Sequence, residues 1–168
     1  MHRRKLREAI HRYSTLYPEE QSTSCRFLAL LDGFPTCFER TCWDGHITGS
    51  AWLVDPTGKQ LLLTNHRKLK MWLQLGGHSD GDANTSRVAY REAVEESGLN
   101  VEVLSEEIFD IDIHEIPAAK HDPAHYHFDV SYQLRAKSTD FMIIEESLDL
   151  AWVSIDDLEK YTKEISIL

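Results

Sequence analysis

Arg91-Glu92-Ala93-Val94-Glu95-Glu96-Ser97-Gly98-Leu99 places three glutamates at i, i+3 and i+4 of what reads as a short helix. That spacing gathers three carboxylates on one face. Glu92 and Glu96 are like charges one turn apart, a pairing that costs an isolated helix roughly 0.2–0.5 kcal/mol. A divalent cation turns that cost into a binding site. Asn84 or Thr85 is the expected N-cap, and Gly98 is the expected left-handed residue past the C-terminus. Tyr90, Ala93, Val94 and Ser97 fall opposite the glutamates on a helical wheel, where they would pack on a sheet.

The flanking sequence supplies that sheet. Residues 47–54 and 60–64 are apolar, β-leaning runs separated by Asp55-Pro56-Thr57-Gly58, the pattern of hairpin strands around a turn. Residues 71–75 read as another short strand, running into a loop at Gly76-Gly77-His78-Ser79-Asp80-Gly81-Asp82. Beyond the glutamates, residues 101–113 and 126–134 read as two long strands with a proline- and histidine-rich connection, and residues 148–153 as a further one. Trp152-Val153 then leads through Ser154 into a last helix from about Ile155, with Asp156 and Asp157 in its first turn. Ahead of all this, residues 3–13 are basic and helix-compatible. A second helix is expected over 18–31, with Pro18 at its start and Gly33 past its end. Strands interleaved with few helices make the chain α+β, a mixed β-sheet covered by helices.

At 168 residues the chain fits one domain over 1–168, with 1–34 as a helical N-terminal extension. Apolar residues make up 42% and charged residues 27%, as in soluble globular proteins, and no apolar run approaches the roughly 20 residues of a membrane span. The basic start, Met1 to Arg7, is followed by His11-Arg12-Tyr13-Ser14 where a secretory signal has its apolar stretch, so the expected location is cytoplasmic. Cys25, Cys37 and Cys42 are odd in number and lack a paired spacing, which reads as reduced structural thiols. The net charge of -10 repels long nucleic acid, while a small phosphorylated ligand stays compatible with the chain if a metal neutralises the site. The basic N-terminal helix pair could join two copies in a homodimer.

Gly77 followed by Arg91-Glu92-Ala93-Val94-Glu95-Glu96-Ser97-Gly98-Leu99 resembles the Nudix box, here 77–99, the signature of hydrolases that act on nucleoside diphosphates linked to another moiety. One defined position differs, because Ala83 stands where the box has a glutamate, with Asp82 just before it. Ala93 is also smaller than the usual aliphatic residue. The resemblance implies the family's α/β/α sandwich. It also implies magnesium, or manganese, held by Glu92, Glu95 and Glu96 with the Gly77 carbonyl as a further ligand. The residues agree, since hard divalent cations take carboxylate and carbonyl oxygens. Arg91 becomes the residue that orients one of the glutamates; its plainer reading is a surface pair with Glu95. The implied reaction is cleavage of a diphosphate bond by an activated water. Glu95 or Glu96 could act as the base, and Glu145-Glu146, in an expected loop, resemble a loop acid that some family members use.

Other residues are candidates for substrate contact. His125-x-His127-x-Asp129 projects alternate side chains from one face of a strand, able to bind a transition metal or meet a phosphate, or simply forming its polar side. His78 fits a role shaping the glycine loop or touching phosphate. His66 and Arg67, with Lys68, bring positive charge to a strand end. Two other functions use the same fold: an isopentenyl-diphosphate isomerase, whose cysteine and glutamate motifs are not matched here, and a non-catalytic nucleotide sensor, a class that often loses the box glutamates retained in this chain. Nucleoside triphosphates, ADP-ribose, dinucleoside polyphosphates and coenzyme A derivatives are separated by loops outside the box, and no motif here selects among them.

Overall fold

The computed structural model describes residues 2–66, 70–119, 121–142 and 147–168. Helix α1 (His2–Leu16) is followed by a 3-10 turn (Pro18–Glu20) and helix α2 (Gln21–Gly33). The strands are β1 (His46–Val54), β2 (Gln60–His66) and β3 (Met71–His78), then helix α3 (Thr85–Ser97). There follow β4 (Val101–Val103), β5 (Asp110–Ile116), β6 (His125–Ala136) and β7 (Ser147–Ser154), with 3-10 turns over Ile155–Lys160 and Ile165–Ile167. The mixed sheet with its helices, N-terminal pair included, bears out the expected α+β architecture. Among the described residues no helix is long and apolar enough to cross a membrane.

The seven strands run β4-β6-β1-β3-β2-β7, with β5 also on β6. β1 and β6 are parallel along the whole of β1, from His46 opposite His127 to Val54 opposite Arg135. β4 and β5 share the other edge of β6, antiparallel to it. β3 bridges two regions: its last four residues pair with β1, and its first four pair with β2.

Several elements differ from the sequence expectation. The helix expected over 18–31 opens as a 3-10 turn and runs through Gly33, which therefore stays helical. The Arg3 guanidinium, donating to the carbonyls of Leu31, Phe34 and Pro35, satisfies this helix end in place of a left-handed glycine. The strand expected over 71–75 extends to His78, so Gly76-Gly77-His78 is strand and not loop: β1 supplies its pairing. The strand expected over 101–113 is two, broken at 104–109, and both halves reach β6. The expected β1–β2 hairpin meets only at Val54 and Leu61, because β3 takes the rest of both edges. The final helix is a 3-10 turn.

Alternation decides which side of the sheet each residue serves. Ile47, Ala51, Phe128, Val130 and Leu75 are buried in the main core with Leu6, Ile10, Phe27, Ala89 and Ala93 from the three helices. Phe27 meets Phe128 edge-on at 5.2 Å. The opposite face of the same strands carries His46, Thr48, Asp129, Ser131 and His78. A smaller core of Leu61, Leu63, Val153, Leu158 and Ile167 closes the β2–β7 end.

Candidate active site

Helix α3 is held over the middle of the sheet by small residues. Gly49 of β1 leaves no room for a side chain, since a Cβ there would lie 2.8 Å from the Thr85 carbonyl and 3.1 Å from Val88. Asn84 caps the helix through the Arg87 amide, and Gly98 at φ +68° ends it, both as the sequence predicts. Val88, Ala89, Ala93 and Ser97 are buried beneath it. Tyr90, expected on that face, is 40% exposed: the buried row runs through Thr85, Val88, Ala89, Ala93 and Ser97, with Glu92 and Glu96 partly buried beside it, so the face is rotated toward the glutamates and Tyr90 falls at its edge.

The close approach brings the acidic residues onto β3. A Cβ on Gly77 would fall 2.5 Å from the Glu92 carboxylate, so this glycine is what lets that carboxylate lie against the strand. Glu96 accepts from the Gly76 amide at 2.8 Å. Arg91 donates to Glu92 Oε1 at 2.7 Å from one guanidinium nitrogen and to the His78 carbonyl at 2.8 Å from the same one, joining helix to strand. Its partner is Glu92, not Glu95. Glu95 is exposed, so the three carboxylates are not gathered equally: two turn to the strand's amide and guanidinium donors, and one faces solvent. An oxygen set of this kind, with a guanidinium fixing one carboxylate, fits a hard divalent cation.

The NUDIX domain model matches residues 46–167. The chain belongs to the Nudix family. Nudix proteins are pyrophosphohydrolases acting on acid anhydrides in nucleoside diphosphate derivatives, and this chain is an enzyme of that kind. A Nudix family hydrolase from Clostridium perfringens is 30% identical, with a TM-score of 0.56 over 73% of this chain and 91% of its own. A MutT Nudix hydrolase from Burkholderia pseudomallei is 21% identical, with a TM-score of 0.56 over 73% of this chain and 92% of its own. An ADP-ribose pyrophosphatase from Streptococcus suis is 20% identical, with a TM-score of 0.51 over 71% of this chain and 80% of its own; at such identity these last two show the fold alone. Among curated proteins no sequence matches. Helices α1 and α2 precede the Nudix match.

Ala83, the departure from the Nudix box, packs against the main core. The neighbouring acid, Asp82, accepts two bonds from the Arg87 guanidinium, at 2.7 and 2.8 Å, and one from the Asn84 amide at 2.9 Å. The loop acid thus braces the start of α3.

The histidines assemble elsewhere. His46, first in β1, lies in register with His127, third in β6, and their rings are 4.7 Å apart. His125 is 4.9 Å from His46, and His78 is 5.2 Å from His46 and 5.1 Å from His127. Burial is the main cause that lowers all three of His46, His78 and His127, the second to about 4 and the third to about 2, so these rings are neutral. His114, 5.5 Å from His127, turns to Asp112. Asp129 accepts from Thr48 at 2.6 Å and from Ser50, and burial raises its carboxyl despite those bonds.

Of the sequence candidates, the structure brings Glu92, Glu96, Arg91 and Gly77 together and sets Glu95 beside them at the surface. His78, His125, His127 and Asp129 sit on the other face of the sheet. His66 ends β2, in a bulge opposite β7. Arg67, Glu145 and Glu146 lie outside the described residues. His46 is absent from the sequence candidates because the expected strand starts at Ile47 and the observed one at His46; the alternation His46-x-Thr48-x-Ser50 is the signal that points to it.

Proposed function

We propose that this Nudix enzyme cleaves the diphosphate bond of a small nucleoside diphosphate derivative with magnesium, or manganese, held by Glu92, Glu95, Glu96 and the Gly77 carbonyl. The observation that carries the reading is the Glu92 carboxylate lying against Gly77, fixed by Arg91, with Glu96 on the next amide. When bound, the cation neutralises phosphate charge and lowers the pKa of a coordinated water. The chain's own residues supply the rest. Arg91 fixes Glu92 in one orientation, and its bond to the His78 carbonyl ties that orientation to the sheet. The Gly76 amide holds Glu96 in place, and Glu95 stays open to solvent; Glu95 or Glu96 takes the proton from the attacking water.

Glu95→Gln and Glu96→Gln are each expected to lower kcat at least a hundredfold with the far-ultraviolet circular dichroism unchanged. Turnover is followed by chromatographic separation of substrate from its two phosphorylated products, for nucleoside triphosphates, ADP-ribose, dinucleoside polyphosphates and coenzyme A derivatives with magnesium or manganese. Near-wild-type turnover in both variants would sink the assignment, as would failure to cleave any diphosphate with either metal.

A further inference from the structure

We propose that His46, His125 and His127 form a second metal site, which binds one zinc-class divalent cation through imidazole nitrogens on the sheet face turned away from α3. Among the described residues this is the group of three metal-ligating side chains that converges, its ligand atoms all within 4.8 Å of one another. The hydrogen bonds of the rings leave the right atoms free. Nδ1 of His46 lies 3.3 Å from the Cys42 carbonyl, and Nδ1 of His125 lies 2.9 Å from the Pro123 carbonyl. A carbonyl oxygen only accepts, so both Nδ1 atoms carry the proton and both Nε2 atoms keep a lone pair. That is the arrangement of a metal-bound histidine whose second nitrogen is tied to a carbonyl.

Two of the three Nε2 atoms have no partner within the fold. Nε2 of His46 and Nε2 of His127 are buried without a hydrogen-bond partner, and His46 is 1% exposed. A buried polar atom left unmatched costs about 1–3 kcal/mol, and a bound cation would remove that cost. The scaffold is rigid: His46 and His127 stand opposite each other on paired parallel strands, and His125 is two residues from His127 on the same face.

The ligand chemistry selects the ion. Imidazole suits zinc, cobalt, nickel or copper, whereas magnesium takes oxygen ligands in octahedral geometry. Tetrahedral coordination with metal–nitrogen bonds of 2.0–2.1 Å puts the nitrogens about 3.3 Å apart, against separations of at most 4.8 Å in the metal-free fold. Three protein ligands leave a fourth position open, and His78 is the next ring beside it. Gly77 and His78 are consecutive in β3 and so face opposite sides of the sheet: the oxygen site and the nitrogen site share one strand but no side chain.

The test is metal binding by the full chain, with zinc and cobalt(II) alone as probes. Metal-stripped protein is expected to take up one zinc per chain in competition with a chromophoric chelator. With cobalt(II) it should give the intense visible bands of a four-coordinate ion. His125→Gln and His127→Gln should each weaken zinc affinity at least tenfold, while Glu96→Gln leaves it unchanged. His125→Gln alone suffices if the other variant does not fold. The proposal is overturned if the wild-type chain takes up no stoichiometric zinc, or if Glu96→Gln weakens zinc as much as the histidine changes do, since the ion would then sit on the glutamates. Neither outcome depends on hydrolysis, so the two metal assignments fail separately.

Discussion

Three glycines of the site show how the atom that a side chain would meet decides what a substitution costs. A Cβ on Gly49 would meet the Thr85 carbonyl, and one on Gly76 the Gly49 carbonyl at 2.9 Å. Backbone cannot step aside, so each substitution pushes apart paired elements, at the roughly 1–3 kcal/mol of an overpacked core. A Cβ on Gly77 meets only the end of the Glu92 side chain, which can swing away. Gly77→Ala is therefore expected to fold, with a Tm within a few degrees of wild type, and to raise the magnesium concentration needed for half-maximal activity at least tenfold. Full activity at wild-type magnesium would show that the Glu92–Gly77 contact does not serve the cation. The box glycine and the glutamates were legible from the sequence, but the reason for the glycine was not, because it lies in a side chain fifteen positions away.

At the level of elements, the turn between β1 and β2 is held by a single carboxylate, Asp55. Burial pushes the Asp55 carboxyl up, yet hydrogen bonds from the Thr57 hydroxyl and the amides of Gln60, Lys59 and Thr57 more than offset it and hold the group down to about 2. The sign follows from the unfolded value of about 3.9: the charged form is favoured by folding, so this stability is present above about pH 4 and is lost as pH falls toward 2. Asp55→Ala should cost about 2 kcal/mol at pH 7, and the deficit should shrink near pH 2.5, both measured by urea unfolding. A constant deficit across that range would show that packing, not charge, is what Asp55 contributes. The Asp-Pro-Thr-Gly pattern predicts this turn because its bonds are local. The extension of β3 through Gly76-Gly77-His78 was not predictable, since glycines read as loop until β1 supplies the hydrogen bonds.

For the molecule as a whole, the N-terminal helices are joined to the sheet through both core and polar contacts. Arg3 closes the end of α2, Arg7 pairs with Asp32, and Arg12 pairs with Glu107, so three arginines of the basic helix act within the chain. The Tyr13 hydroxyl donates to Asp110 of β5 at 3.1 Å. Burial raises the Asp110 carboxyl to about 6. Its folded value is above the unfolded one, so the protonated form is favoured by folding and its contribution is lost as pH rises through about 6. Asp110→Asn keeps an acceptor for Tyr13 without the charge. Relative to wild type it should gain on the order of 2 kcal/mol between pH 4 and pH 8, read by thermal unfolding at both. A variant less stable than wild type at pH 8 would overturn this.

The sequence alone determined the family, the glutamate triplet proposed to hold the cation, the capped helix and the local turn, because each is written in residues no more than about twenty apart whose spacing carries its own geometry. Only the tertiary structure decided that Arg91 serves Glu92, that Glu95 stays in solvent, and that His46 joins His125 and His127. Those relations depend on which strand lies beside which, and the parallel pairing of β1 with β6 brings together residues eighty positions apart that no local pattern connects.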